Sequence, residues 1–238
     1  PELDSRPIVK RSTPRPWIAI GGAIAIVAAI AAAASLFGRV RSTPEELVDD
    51  ALRRGDVSVA RDVAQEILAA DPESARGHLL LARIDSHAGN IDGARAGYER
   101  AIRVERSIGN NPALLSYLRD LLANERERDH ALELFTTVAR NADDSIVPFL
   151  VEMAKTNGNR HVRRLAIEGL EDRKELDRID ALPILLDDLA KADPKRKYCE
   201  TRKWYVERIV RFDDPRVLPA LERESRRKGF FFDFGSGN

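Results

Sequence analysis

Histidine, cysteine and paired carboxylates are the side chains from which a catalytic or metal centre would be assembled, and in this sequence they stand apart. The histidines, His78, His87, His130 and His161, fall in four different helices or turns, without the i, i+4 spacing that places two imidazoles on one helix face. The acidic pairs Asp49-Asp50, Asp143-Asp144, Asp187-Asp188 and Asp213-Asp214 are adjacent, which sends their side chains in different directions on a helix. Helix caps and solvated loops account for most of them. Cys199 lies among Lys195, Arg196, Lys197, Arg202 and Lys203, cations that favour a thiolate. It has no matching histidine motif, so a structural role is the preferred reading. No glycine-rich phosphate loop and no G-x-S-x-G turn is present. The sequence predicts no catalytic residue, no cofactor and no metal ligand, and it reads as a non-enzyme.

The elements that carry these residues are organised by one apolar run. Residues 17–37, WIAIGGAIAIVAAIAAAASLF, contain no charged side chain, and as a helix they span roughly 30 Å, the thickness of a bilayer core. Trp17 suits the headgroup layer, and basic residues flank the run on both sides. A transmembrane helix over 17–38 is the expectation; a signal peptide covering 17–34, with Ala31 to Ala34 before Ser35 as its cleavage site, is the alternative. Gly21, Ala25 and Ala29 at four-residue spacing would let two such helices pack closely as a homodimer, although small residues recur throughout an alanine-rich span. Residues 1–16 hold Pro1, Pro7, Pro14 and Pro16 and form a basic, disordered juxtamembrane arm. Arg6, Lys10, Arg11 and Arg15 before the span against Arg39 and Arg41 after it place the arm in the cytoplasm and the remainder outside it. Beginning at Pro1, the chain reads as a fragment or processed product. The 39 basic and 39 acidic side chains cancel, which argues against nucleic acid as the main partner, and one cysteine rules out an intrachain disulfide framework.

From residue 42 the pattern turns helical and repetitive. GDVSVARDVAQEIL from Gly55 and GNIDGARAGYERAI from Gly89 superpose at a shift of 34, with Ala60 on Ala94, Ala64 on Tyr98, Ile67 on Ala101 and Leu68 on Ile102. Gly55 and Gly89 then fall in turns between antiparallel helices, and Ala60 and Ala94 are small where those helices cross. Leu81, Ala82, Gly89, Ala94, Tyr98 and Ala101 resemble the tetratricopeptide repeat pattern. Leu115, Leu118, Leu122, Ala131, Phe135 and Val138 repeat it a third time, the extra length being absorbed at Gly109-Asn110-Asn111. The first helix starts at Pro44 behind a Ser42 or Thr43 cap. Three such units over 42–142 are expected.

Beyond Asp143-Asp144 the period changes. Pro148, Pro183 and Pro219 each stand near the start of an apolar first helix, and Val162, Leu165, Ala166 and Leu170, then Trp204, Val206 and Ile209, mark amphipathic second helices. HVRRLAIEGL and DDPRVLPAL resemble HEAT repeats, here over 145–238 with the last unit incomplete. The aromatic tail Phe230, Phe231, Phe232 and Phe234 reads as a frayed terminus, the alternatives being a cover for the open end or a ligand-facing loop. The resulting fold class is all-α: a helical-repeat solenoid of seven to eleven helices, tetratricopeptide then HEAT-like, tethered by one N-terminal transmembrane helix.

The tetratricopeptide resemblance implies a groove lined by the first helix of each unit, holding Asp49, Arg53, Arg76, Leu79, Arg83, His87, Ser116, Asp120 and Asn124. Arg76 and Arg83, with Leu79 between them, are the expected contacts to a protein or peptide ligand. The lysine and asparagine clamp that some family members use for a terminal carboxylate is absent. A proline-rich arm, one span and distal repeats look like the region downstream of the catalytic domain in bacterial membrane serine/threonine kinases. The implied role is a membrane-anchored scaffold or sensor; the competing role is an enzyme built on HEAT-like repeats, lyase-like or protein-modifying.

Overall fold

A computed structural model describes residues 42–192 and 199–226. The arm, the apolar segment 17–37, part of the connection around Asp193-Pro194 and the phenylalanine-rich tail lie outside the described residues. The chain divides into two compact units, 1–47 and 48–238. In the first, the Thr43 backbone N–H donates to Glu46 Oε2 at 2.8 Å, and the Glu46 N–H returns a bond to Thr43 Oγ1 at 3.3 Å. This reciprocal box starts a helix at Pro44, where the missing N–H costs nothing.

Among the described residues there are eleven α-helices, short 3-10 turns between them and no strand. In chain order they are α1 Pro44–Arg54, α2 Val57–Ala70, α3 Ala75–His87, α4 Ile91–Val104, α5 Pro112–Ala123, α6 Arg128–Asn141, α7 Val147–Thr156, α8 Arg160–Asp172, α9 Ala181–Lys191, α10 Cys199–Ile209 and α11 Val217–Ser225. Side-chain caps set several starts: Ser74, Asn90, Asn111 and Asn159 accept from the backbone N–H two or three residues on. The extra length at 106–110 is a 3-10 turn ahead of the Asn111 cap.

Gly55 and Gly89 lie at φ +80° and +73°, left-handed conformations that close the turns into α2 and α4. Ala60, Ala94 and Ala131 are wholly buried. α3 and α4 approach closely at Gly97, where a Cβ would stand 2.8 Å from the Ala82 Cβ. Second helices then stack in turn, α4 on α6 and α6 on α8. Val48, Ala51, Ala60, Ala64, Leu80 and Ile84 form one apolar cluster, and a continuous second cluster runs from Leu79 to Ala220.

The last carbonyls of a helix have no partner within it. At the end of α6 they are satisfied from both neighbours: Arg106 Nε donates to the Asn141 carbonyl at 2.8 Å, while Arg173 donates to Ala139 and Ala142 carbonyls, each at 2.6 Å. Pro148, Pro183 and Pro219 all sit in the first turns of their helices, as their missing donors require. Trp204, expected as an apolar mark of α10, packs partly buried against the core and carries the Arg208 guanidinium 3.8 Å from its ring centroid; its neighbour Tyr205 is fully buried. Among the described residues no helix is long and apolar enough to cross a membrane.

Arg202 is a charged residue in the interior. It and Glu224 are each 2% exposed; Arg202 Nε donates to Glu224 Oε2 at 2.8 Å, and Nη1 donates to the Ala192 carbonyl at 2.7 Å. The pair fastens α11 to α10. Removing one member of such a pair costs about 3–5 kcal/mol, whereas exchanging both for apolar groups is close to neutral. Arg202→Ala is therefore expected to free α11, read as accelerated amide exchange across Val217–Ser225, while exchange in α3 and α4 is unchanged because solenoid units depend on nearest neighbours. Arg202→Met with Glu224→Leu is expected to retain protection.

Candidate functional site: the groove of the first helices

The expected groove residues sit on α1, α3 and α5, apart from Asn124 just past the end of α5, and the structure sorts them. Arg83 Nη2 donates to Asp49 Oδ1, joining α3 to α1. The two side chains are 23% and 42% exposed, a setting in which an ion pair contributes under about 1 kcal/mol. Both belong to the same repeat position, since a shift of 34 carries Asp49 onto Arg83. Arg76 is exposed on α3, seven residues before Arg83 and so about 10 Å away on the same helix face. His87, Ser116 and Asp120 are exposed as well.

Several expectations need correction. Leu79 is not an apolar contact offered to a ligand; it joins the core cluster that includes Leu115 and Leu118 of α5, because the face of α3 between the two arginines is covered. Arg83 does not point free into solvent, since Asp49 engages it. Asn124 is committed to a cap, its Oδ1 accepting from the Arg126 N–H at 3.1 Å. Arg53, 72% exposed, faces Asp50 on its own helix at 3.4 Å instead of a neighbouring unit. The histidines are also less dispersed than the spacing implied: α3 extends to residue 87 and carries both His78 and His87. His78 is buried, its Nε2 2.9 Å from the Pro72 carbonyl oxygen.

Two tyrosines outside the expected set, Tyr98 of α4 and Tyr117 of α5, pack against each other, Tyr98 within the core. The rings of Tyr98 and Tyr117 lie 5.6 Å apart at 33°, and the Tyr117 hydroxyl is buried without a protein partner. Burial pushes the Tyr98 hydroxyl up to about 12, against the opposing effects of a bond with Ser86 and the Arg83 charge. Tyr117 is also raised, by burial and then by Glu127. Both phenols thus remain hydrogen-bond donors near neutrality. Arg61 of α2 donates to the buried Asp85 of α3 at 2.7 Å. The signal for that bond was an aspartate inside the apolar run LLLARID; nothing local named its partner.

Elsewhere, a cleft of about 600 Å³ lies beside the ends of α8 and α10. Its lining balances Glu171, Asp172 and Asp177 against Lys174, Arg208 and Arg211, and Arg208 is already bonded to Glu171 at 2.8 Å. No like-charged set converges there. Among the described residues no group of three His, Cys, Asp or Glu side chains could hold a metal ion.

The family described as tetratricopeptide repeat matches residues 51–108, from the end of α1 through α4. This stretch carries tetratricopeptide-like repeats. The match encloses both left-handed glycines, the Ala60 and Ala94 positions and the Arg83 side of the groove. No curated protein and no solved structure matches the chain. Such repeats are interaction modules, so a groove between successive first helices is the place to look for a protein ligand.

Tyr98 supplies a pH test of this packing. Its folded value lies above the ordinary 10.0, so its contribution to stability is complete below pH 10 and is lost as pH rises from 10 towards about 12. Between pH 9 and pH 11 the protein is expected to lose about 1.4 kcal/mol more than the Tyr98→Phe variant, measured by urea unfolding. Parallel losses would show that Tyr98 ionises as freely in the folded protein as in the unfolded chain.

Proposed function

We propose that the chain is a membrane-tethered protein-interaction module whose groove, lined by α1, α3 and α5, receives an extended or helical peptide from a partner protein. The observation that carries this reading is the tetratricopeptide match over 51–108 together with a cation of the groove, Arg83, already holding a carboxylate. The length and uniform apolarity of 17–37 support the tether, and the distribution of arginine and lysine around it supports a cytoplasmic arm with the repeats on the far side. The order of proline-rich arm, span and distal repeats supports a scaffold or sensor role within a larger signalling protein such as a bacterial serine/threonine kinase. HEAT-like units over 145–238 would extend the platform; their support is the recurrent first-turn prolines and the helix pair α7–α8. A close-packed homodimer through Gly21, Ala25 and Ala29 remains a secondary feature of the tether.

Partners are to be captured by crosslinking the tethered protein in its native membrane and then tested by pull-down. Arg83 faces Asp49, so neutral Arg83→Gln avoids the like-charge repulsion that a reversal would add. Arg76→Glu/Arg83→Gln is expected to reduce capture at least tenfold, since a charge-assisted contact contributes about 1.5–3 kcal/mol where water is excluded. Reversal of the exposed Arg100 and Arg103 on α4 is the control and is expected to leave capture unchanged. Equal capture by both variants would make the repeats a rigid spacer.

The tether is tested separately. With Cys199 replaced, single cysteines at Ser5 and at the exposed Gln65 of α2 are treated with a membrane-impermeant thiol reagent in intact cells. Labelling at position 65 alone is expected. Labelling at position 5 alone would reverse the orientation, and equal labelling of both would count against the span.

A further inference from the structure

The first helices of the last two units, α9 and α11, touch only lightly, because Arg202 holds α11 to α10 through the buried Glu224. A cleft of about 260 Å³ is left between them. Leu186, Leu189 and Ala190 line it from α9, and Pro219 and Ala220 from α11. Three of its charged residues are committed: Asp187 to Lys191 at 2.8 Å, Arg216 to Asp214 at 2.7 Å, and Glu224 to Arg202. Arg223, exposed at the same cleft, has no ion-pair or hydrogen-bond partner among the described residues. An apolar trough with one uncommitted cation at its edge suits an aromatic side chain that has a carboxylate beside it.

That combination stands in this sequence four residues beyond Arg226, the last described residue. Phe230, Phe231, Phe232 and Phe234 enclose Asp233. We infer that residues 230–234 occupy the cleft, phenylalanine rings against Leu186 and Pro219 and the Asp233 carboxylate on Arg223, so that the chain fills this stretch of its own first-helix surface. The segment is well placed to do so, since Arg223 and Glu224 line the cleft and the chain leaves α11 at Arg226, less than one turn further on. Four residues span up to about 14 Å, enough to double back over that turn. Joined to its seat, the segment meets it at an effective concentration of about a millimolar, and a contact with a dissociation constant of about 0.1 mM then keeps the cleft about nine-tenths filled. A separate partner has no such advantage. The inference concerns α9 and α11 and does not rest on the groove reading for α1, α3 and α5.

The test uses the full chain in detergent, with and without Phe230→Ser/Phe231→Ser/Phe232→Ser/Phe234→Ser, which empties the cleft without altering a described helix. A fluorescent peptide copying residues 226–238 is titrated into both forms. It is expected to bind the serine variant about tenfold more tightly than the unaltered chain, whose own segment competes. Adding Arg223→Glu to the serine variant is expected to weaken the peptide about fivefold, and a peptide with lysine in place of Asp233 to recover the loss. Leu186→Asp on the same background should abolish binding of either peptide. With Cys199→Ser and the phenylalanines intact, Ala190→Cys and Ser236→Cys are expected to be joined within one chain by a short bismaleimide, and excess peptide to suppress that product. Equal affinity of the two forms, or no binding by the serine variant, would overturn the inference, as would binding that ignores both Arg223→Glu and Leu186→Asp. A product linking two chains would assign the cleft to a second copy and overturn it too. If Leu186→Asp loses helical signal by circular dichroism, the exchange of charge between Arg223→Glu and the lysine peptide decides.

Discussion

A pair of amphipathic helices closes one apolar face and leaves another in water, so each pair here needs the next one against it. That constraint governs where small residues stand. Ala60, Ala94 and Ala131 are wholly buried, and Gly97 lets the backbone of α4 approach Ala82 more closely than any side chain would permit. Once the second helices are that near, Tyr98, Phe135 and the leucines of α5 fill a continuous interior. Among the described helices the seam between α3 and α4 is the most extensive.

Stacking also creates a polar problem at the helix ends, solved by arginine. Arg106 and Arg173 reach the end of α6 from the preceding and following elements, and Arg202 reaches the Ala192 carbonyl while pairing with Glu224. A planar guanidinium with five donors can serve several carbonyls or both oxygens of a carboxylate at once, which an ammonium cannot match. Much of the basic charge is therefore structural, and the acidic residues are in large part its counterpart. This pairing is one reason the 39 basic and 39 acidic side chains balance.

The groove inherits the same economy of charge. The aromatic pair Tyr98 and Tyr117 packs in the interior, and the cation Arg83 is held by a carboxylate from the neighbouring repeat position. Water reaches both members of this pair, as it does Arg119 with Glu152 and Arg95 with Glu133, whereas Asp85, Asp188 and Glu224 are sealed.

Local features were legible before any coordinates. The 34-residue shift, the glycines that need left-handed backbone, the cap at Thr43 and the prolines of the first turns each depend on neighbours within one or two turns of chain. The sequence alone therefore determined an all-helical repeat protein, the position of its turns and the side of α3 on which Arg76 and Arg83 stand. Only the tertiary structure decided that Leu79 belongs to the interior, that Tyr205 is fully buried where Trp204 is only partly so, that Arg202 is buried, and that Asp49 holds Arg83. A helix period says which residues share a face, but whether that face meets water, a leucine or a carboxylate depends on a helix more than 20 residues away, whose placement is set by how the pairs stack.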